Sequence, residues 1–332
     1  MTYVYVLVSG SDDLYYEQAL MSVTTLRMHM PHANVIVLVD DKTEQSFQDP
    51  NRQALQALAS IVPIPFNPDV PKVDRSRLIK TSIPSYVQDS FLYIDCDTVV
   101  CDDLSDIEDF PAETAGVLDG HVHLADHVHR DMFLARDKKL GFHGTKALDG
   151  NINGGVILAK AGKESQELFR AWNDRWKYAA YQKHDKHDQP PLNEANYLTG
   201  MHMALLPGEW NCQPAHGGLA FLGKAKIIHY YSSEMQGKYY APYYQLADRK
   251  LQERIKQAGR IPEDVMKMLG NPEFQFNPVH IVSDKRVVSI MQSPLLFTFA
   301  EMKMNHIHLF HFFEKQAAFV RKLGKAVLGK NH

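Results

Sequence analysis

Residues 91–100 read FLYIDCDTVV. The apolar run Phe91–Ile94 has strand character and ends in two carboxylates one residue apart, Asp95 and Asp97. A short, near-continuous apolar run fits a strand covered on both faces, as in a parallel α/β sheet. Burial disfavours the charged form of a carboxylate, so the pair needs a partner or solvent. In open α/β sheets ligands bind outside the carboxyl ends of strands, which is where this pair lies. Residues i and i+2 of an extended chain project to one side, so both carboxylates can converge on one object. A hard divalent cation, which takes oxygen ligands, is the natural one, and with it comes a seat for a diphosphate.

The same pattern extends to either side of this stretch. YVYVLVS (3–9) reads as a buried strand followed by the polar GSDDLYY, and EQALMSVTTLRMHM (17–30) carries apolar residues at helical spacing. ANVIVLVDD (33–41) is the next strand, QALQALASI (53–61) reads as a helix, and residues 61–64 as a short strand or edge piece. Alternating strands and helices predict a parallel sheet with covering helices. Further on, NGGVILA (153–159) and KAKIIHYY (224–231) read as strands, and SQELFRAWNDRWKYAAYQ (165–182) as a helix. Beyond about 240 the chain looks helical without further strand-and-site units. The expected division is therefore a catalytic domain over 1–240 and a mainly helical extension over 241–332.

The 332 residues carry a formal net charge of −3, which gives no sign of a nucleic-acid partner. Three cysteines without a CxxC pair argue against a disulfide framework and a structural zinc site. The start has no basic n-region, and no window approaches a spanning helix. These features lead to an expectation of a reducing, cytoplasmic location.

Three readings of the aspartate pair compete. The pair can be a solvated strand end. D-C-D-T-V also fits the D-x-D-x-T/V signature of haloacid-dehalogenase-like phosphatases, although that motif normally ends the first strand of its domain and here two strand units precede it. The third reading is sugar-nucleotide binding. SGSDDLYY (9–16), RLIKTSIPSYVQDSFLYIDCDTVVCDDLSDI (77–107), NGGVILA, HDQPPLN (187–193), LPGEWN (206–211) and IIHYYS (227–232) occur in one order. In this the sequence resembles retaining glycosyltransferases of the family 8 type, over roughly residues 3–240. The resemblance implies a GT-A fold: α/β, Rossmann-like, a mostly parallel sheet flanked by helices, here with a helical carboxyl-terminal extension.

The resemblance assigns Asp95, Asp97 and His229 to a metal, Mn2+ with Mg2+ as a substitute. It places Asp12 and Tyr15 against the base and ribose of a UDP-sugar, with Asp13 an adjacent candidate. Arg77 falls at the diphosphate or donor sugar, and Arg75 takes that part if the register slips by two; Lys80 reads as a solvated helix residue. Asn153 matches a donor-sugar contact, Asp149 is a weaker one, and Asp188 and Gln189 match the pair lining the reaction centre. Pro190 stands where the family commonly has an acidic residue, which puts the backbone path in question. Lys238 is the candidate for a lysine touching the diphosphate. The implied activity is transfer from a UDP-sugar to a hydroxyl of a saccharide or glycolipid acceptor; a non-catalytic sugar-nucleotide binder stays open beside it.

Three groups fall outside this set. His121, His123, His127 and His129 lie within nine residues and read either as a second metal site or as a loop over the acceptor cleft. Asp102 and Asp103 are expected to cap the following turn. The tail FFEKQAAFVRKLGKAVLGK (312–330) sets apolar residues at near-helical spacing among Lys315, Arg321, Lys322, Lys325 and Lys330, with Glu314 as its one acid. It can pack on the catalytic domain or make peripheral contact with an anionic membrane, at its inner face if the location is cytoplasmic.

Overall fold

Strand β1 (Thr2–Leu7) is an interior strand of the sheet, and its alternate residues go to opposite cores. Tyr3, Tyr5 and Leu7 join one buried cluster with Ala19, Leu20 and Val23 of helix α1 (Tyr15–His29). Val4 and Val6 join a second cluster. The period-two alternation of a strand thus feeds two apolar faces at once, which is why the run is continuous in the sequence. The computed structural model describes residues 1–214, 217–231, 244–276 and 293–328.

Chain order continues with β2 (Asn34–Asp40), the short helix α2 (Asp41–Ser46), β3 (Ser60–Ile64), α3 (Lys72–Lys80), β4 (Phe91–Ile94), β5 (Thr98–Val100) and β6 (Thr114–Leu118). Helices α4 (Arg130–Leu140) and α5 (Gly144–Ala147) precede β7 (Ile152–Ala159), α6 (Lys163–Lys177) and α7 (Gln189–Leu198). Strands β8 (Ala204–Leu205) and β9 (Ile227–His229) follow, then α8 (Arg249–Ala258) and α9 (Glu263–Leu269). Seven strands form one sheet in the order β3-β2-β1-β4-β7-β6-β8, and β5 pairs with β9 in a separate ribbon. β1, β2, β3 and β4 run parallel, whereas β7 is antiparallel to both β4 and β6. The order reverses between β1 and β4: β2 and β3 lie on one side of β1, and β4 opens the other. That switch point leaves a crevice beyond the carboxyl ends of β1 and β4.

Some local expectations change. The segment 53–61 is a 3-10 turn (Ala54–Ala57) leading into β3 rather than a helix, and Pro63 is tolerated because β3 is a sheet edge. Pro190 and Pro191 occupy the first turn of α7, where an N–H has no intrahelical partner to lose. The backbone path that Pro190 put in question is therefore a helix start. Asp102 and Asp103 do not cap the next turn, whose N-cap is Leu104; they hold the bend before it, Asp103 accepting the Ser105 N–H at 2.7 Å and Asp102 the Asp103 N–H at 2.8 Å.

The chain divides into two compact units, Met1–Phe276 and Asn277–His332. Helices α8 and α9 fall in the first, and α8 packs on α1. The second unit contains α10 (Pro294–Asn305) and α11 (Ile307–Leu328). Among the described residues no helix is long and apolar enough to cross a membrane.

Candidate active site

Asp95 and Asp97 lie not on β4 itself but in the bend joining it to β5. Thr98 Oγ donates to the Asp95 carbonyl at 2.8 Å, and the Asp95 N–H donates to the Gly155 carbonyl of β7 at 2.8 Å, so the bend is tied to the sheet. The β5–β9 register places Thr98 opposite His229. That pairing brings together residues 132 positions apart: His229 Nε2 stands 3.2 Å from Asp97 Oδ1 and 4.0 Å from Asp95 Oδ2. Among the described residues this is the one grouping of three such side chains with metal-ligand spacing, all ligand atoms within 4.8 Å of one another.

The geometry fits a divalent cation. His229 Nδ1 faces Asn211 Oδ1 at 3.1 Å, so a neutral imidazole donates there and turns the Nε2 lone pair toward the carboxylates. The ring stacks on Tyr231, centroids 4.1 Å apart. A Cβ on Gly155 would run into the ring, so glycine is what lets His229 sit against β7. Burial alone lowers the imidazolium's pKa, but Asp97 and Asp95 outweigh it and hold it raised.

Asn211 belongs to a buried amide chain. Its Nδ2 donates to Asn153 Oδ1 at 2.9 Å, and that oxygen also accepts the Gly155 N–H at 2.9 Å. Asn153 Nδ2 donates to Asp119 Oδ1 at 3.1 Å. Asn153 is therefore a connector between Asp119 and the His229 site, with its oxygen already committed twice. Neither Asn211 nor Asp119 stood out in the sequence. Asn211 closes the quoted LPGEWN segment, but nothing local marks its amide as the imidazole's partner.

The largest departure concerns Lys80. It is buried, not solvated, and its Nζ sits 3.2 Å from Asp95 Oδ1 and 2.8 Å from Asp188 Oδ2, above the Tyr93 ring. Tyr93 OH also donates to Asp95. Arg77 Nε approaches Asp188 Oδ1 at 3.7 Å. Burial pushes the Asp188 carboxyl up, but Arg77 and Lys80 more than reverse this and hold it far below the ordinary carboxylate range. Lys80 stands three residues after Arg77 on α3, and that helical spacing is the signal by which it could have been found. Arg75 points elsewhere and pairs with Asp40 at 2.7 Å, so the structure brings Arg77, not Arg75, to the cluster. Gln189 opens α7 immediately after Asp188.

A cavity of about 410 Å³ lies over the switch point, lined by Val6, Leu7, Tyr15, Gln18, Arg77, Asp95 and Asp97 among others, within the range of small-molecule sites. Asp13 forms the loop at its edge: it accepts from Ser9 Oγ at 2.7 Å and from the N–H groups of Gly10 and Tyr15 at 2.8 and 3.0 Å, and it pairs with Lys72. Burial raises its carboxyl, and Lys72 with these donors holds it below its usual value. Asp12 is exposed at the rim, 3.8 Å from Lys72 Nζ.

Asp149 is exposed and pairs with His123 at 3.5 Å, rather than standing in the aspartate cluster. The four histidines between 121 and 129 do not converge on one point, although the rings of His127 and His129 lie 5.7 Å apart. His121 Nε2 accepts the Gln213 N–H at 3.1 Å, whereas buried His127 packs on Phe133. Lys238 lies outside the described residues.

Several comparisons bear on this arrangement. In structure, the chain resembles WbbM, described as a bifunctional glycosyltransferase, at 17% identity and a TM-score of 0.52, over 81% of this chain and 51% of that one. It thus spans about half of WbbM. Galactosyltransferase LgtC, solved with donor and acceptor sugar analogues, matches at 15% identity and TM-score 0.49 over 80% of this chain and 99% of that one. The glycosyltransferase GlyE of Streptococcus pneumoniae TIGR4 matches at 18% and 0.48, over 80% and 62%. No curated protein sequence matches. The likeness to WbbM supports the expected GT-A architecture. Residues 6–235, well over half of the chain, match glycosyl transferase family 8. With the switch-point crevice and its Asp-Asp-His cluster inside that span, this chain belongs to glycosyl transferase family 8.

Proposed function

We propose that the protein transfers a glycosyl group from a UDP-sugar to a hydroxyl of a saccharide or glycolipid acceptor, with retention of configuration. The observation that carries this reading is the convergence of Asp95, Asp97 and His229 at the end of a cavity bordered by Tyr15 and Arg77. These three residues would hold Mn2+, or Mg2+ in its place, which when bound supplies Lewis-acid stabilisation to a leaving diphosphate. Asn211 orients the imidazole for that task. Tyr15 offers an aromatic face to the base at the cavity mouth, and Asp12 an exposed carboxylate to base or ribose hydrogens. Asn153, with Asp119 and Tyr231 on its amide, holds the floor where the donor sugar would rest. Arg77 brings a fork of donors suited to diphosphate or sugar oxygens.

Both Asp188 oxygens face cations. A carboxylate held this way is a poor nucleophile and a good anchor for sugar hydroxyls, which favours same-face attack by the acceptor over a covalent intermediate on Asp188. Gln189, next to it, would face the anomeric centre. A phosphatase reading has little support, because the aspartates follow the fourth strand of the sheet rather than the first. The test is donor hydrolysis across a panel of nucleotide sugars with and without Mn2+. Slow, Mn2+-dependent release of UDP from one donor is expected. A protein that neither hydrolyses any donor nor binds UDP with Mn2+ would overturn the reading, and one that binds UDP yet transfers to no acceptor would be a pure binder.

The second unit adds a peripheral membrane contact to the proposal. Leu309, Phe312, Phe319 and Val320 of α11 are exposed, in a stretch whose sequence carries Lys315, Arg321, Lys322 and Lys325. Exposed aromatic residues beside basic ones suit an anionic lipid surface. The full chain is expected to float with phosphatidylglycerol-containing vesicles and to be released by salt of about 0.5 M, which shortens the Debye length to roughly 4 Å. Equal recovery with neutral vesicles, or none with either, would refute the contact.

A further inference from the structure

The loop Ser9–Asp13 is held from outside the family-matched span. Lys256 of α8, beyond residue 235 where the family match ends, donates from Nζ to the Ser11 carbonyl at 2.6 Å and to the Asp13 carbonyl at 3.0 Å. One turn earlier on the same helix, buried Gln252 accepts from Gln18 Nε2 at 3.2 Å, and Gln18 lines the cavity. Gly259, which ends α8 in a left-handed conformation, lies so close to Asn51 that a Cβ there would stand 2.8 Å from the Asn51 Cα. Asn51 precedes Arg52, which holds the other side of the loop, donating to the Gly10 carbonyl at 2.8 Å and to Ser9 Oγ at 2.8 Å.

A single helix therefore reaches the loop directly through Lys256, reaches a cavity wall through Gln252, and backs the second grip through Gly259. Loop carbonyls left without a donor would turn to water and release the backbone that presents Asp12 and Tyr15. We infer that Lys256 is a positioning residue for donor binding: α8 sets the shape of the nucleotide loop, so that donor affinity depends on a helix outside the matched family region. This rests on the proposed reading of the loop as the UDP site.

The test is calorimetric binding of UDP with Mn2+ to the full chain. Lys256→Met removes the donor while keeping the stem. It is expected to weaken UDP binding at least tenfold with an unchanged thermal midpoint, and to raise the donor KM with little change in kcat. Lys256→Arg should restore binding to within about threefold, since it keeps charge and donors. Arg254→Ala, which removes an ion pair to Asp264 on the far side of the helix, should bind as wild type does. Wild-type affinity in Lys256→Met overturns the inference and leaves the donor reading standing. Absence of UDP binding in the wild type overturns the donor reading and this inference with it. If Lys256→Met lowers the midpoint, hydrogen exchange at the amides of residues 10–15 decides: faster exchange confined to that loop supports the clamp, and exchange raised throughout the sheet overturns it.

Discussion

Asp97→Asn is expected to lower UDP-sugar turnover on the order of 10³-fold, roughly 4 kcal/mol of lost transition-state stabilisation. Asp97 Oδ1 is the carboxylate oxygen nearest His229 Nε2, at 3.2 Å. The amide keeps the shape but removes the charge, and it weakens the seat that Asp95, Asp97 and His229 form together. Thr98 and Gly155 tie the bend through the Asp95 backbone, and asparagine keeps the size and hydrogen-bonding reach of the side chain, so the variant should fold. Its Mn2+-dependent UDP binding, followed by calorimetry, should fall along with turnover. Turnover within tenfold of wild type would mean that Asp97 does not hold the metal.

Lys80→Met is expected to destabilise the first unit by about 3 kcal/mol, in the range for breaking a buried ion pair by removing one partner. In a unit of this size that corresponds to a fall in thermal midpoint of roughly 5 °C. The cause is the pair of carboxylates left behind: Asp95 and Asp188 each lose the ammonium group that lies 3.2 and 2.8 Å away. The pH dependence has a definite sign. Asp188's pKa is depressed in the folded state, so its contribution is fully present above the unfolded carboxylate value of about 3.9 and is lost as pH falls toward the folded one. The stability gap between wild type and Lys80→Met should therefore be largest near neutrality and narrow below about pH 4. Chemical unfolding at several pH values measures this. A gap that does not change with pH would show that Lys80 acts through packing alone.

Local chemistry made much of this protein legible. Continuous apolar runs marked β1, β2, β4 and β7, because strands covered on both faces need no polar alternation. The paired aspartates after β4 marked the site, because two carboxylates at the end of a buried strand require a counter-charge. Apart from His229, which the resemblance grouped with the aspartates, pairing across long sequence distances was not legible. β5 and β6 are short strands with no pattern of their own, and β8 has two residues. QALQALASI has helical spacing but is held to a 3-10 turn leading into the sheet edge.

The sequence by itself determined the alternation of strands and helices, the acidic bend, and through six ordered segments the kind of site to expect. The resemblance already grouped His229 with the two aspartates; tertiary structure decided how it reaches them and which of the other candidates share the site. The β5–β9 register brought His229 to Asp97; α3 buried Lys80 with Arg77 and sent Arg75 to Asp40; α8 returned from beyond the matched region to hold the first loop. The physical reason is that a side chain's charge and hydrogen-bonding capacity are local properties. The partner that satisfies them is set by which surfaces the sheet brings into contact, and residues far apart in the chain carry no local record of that meeting.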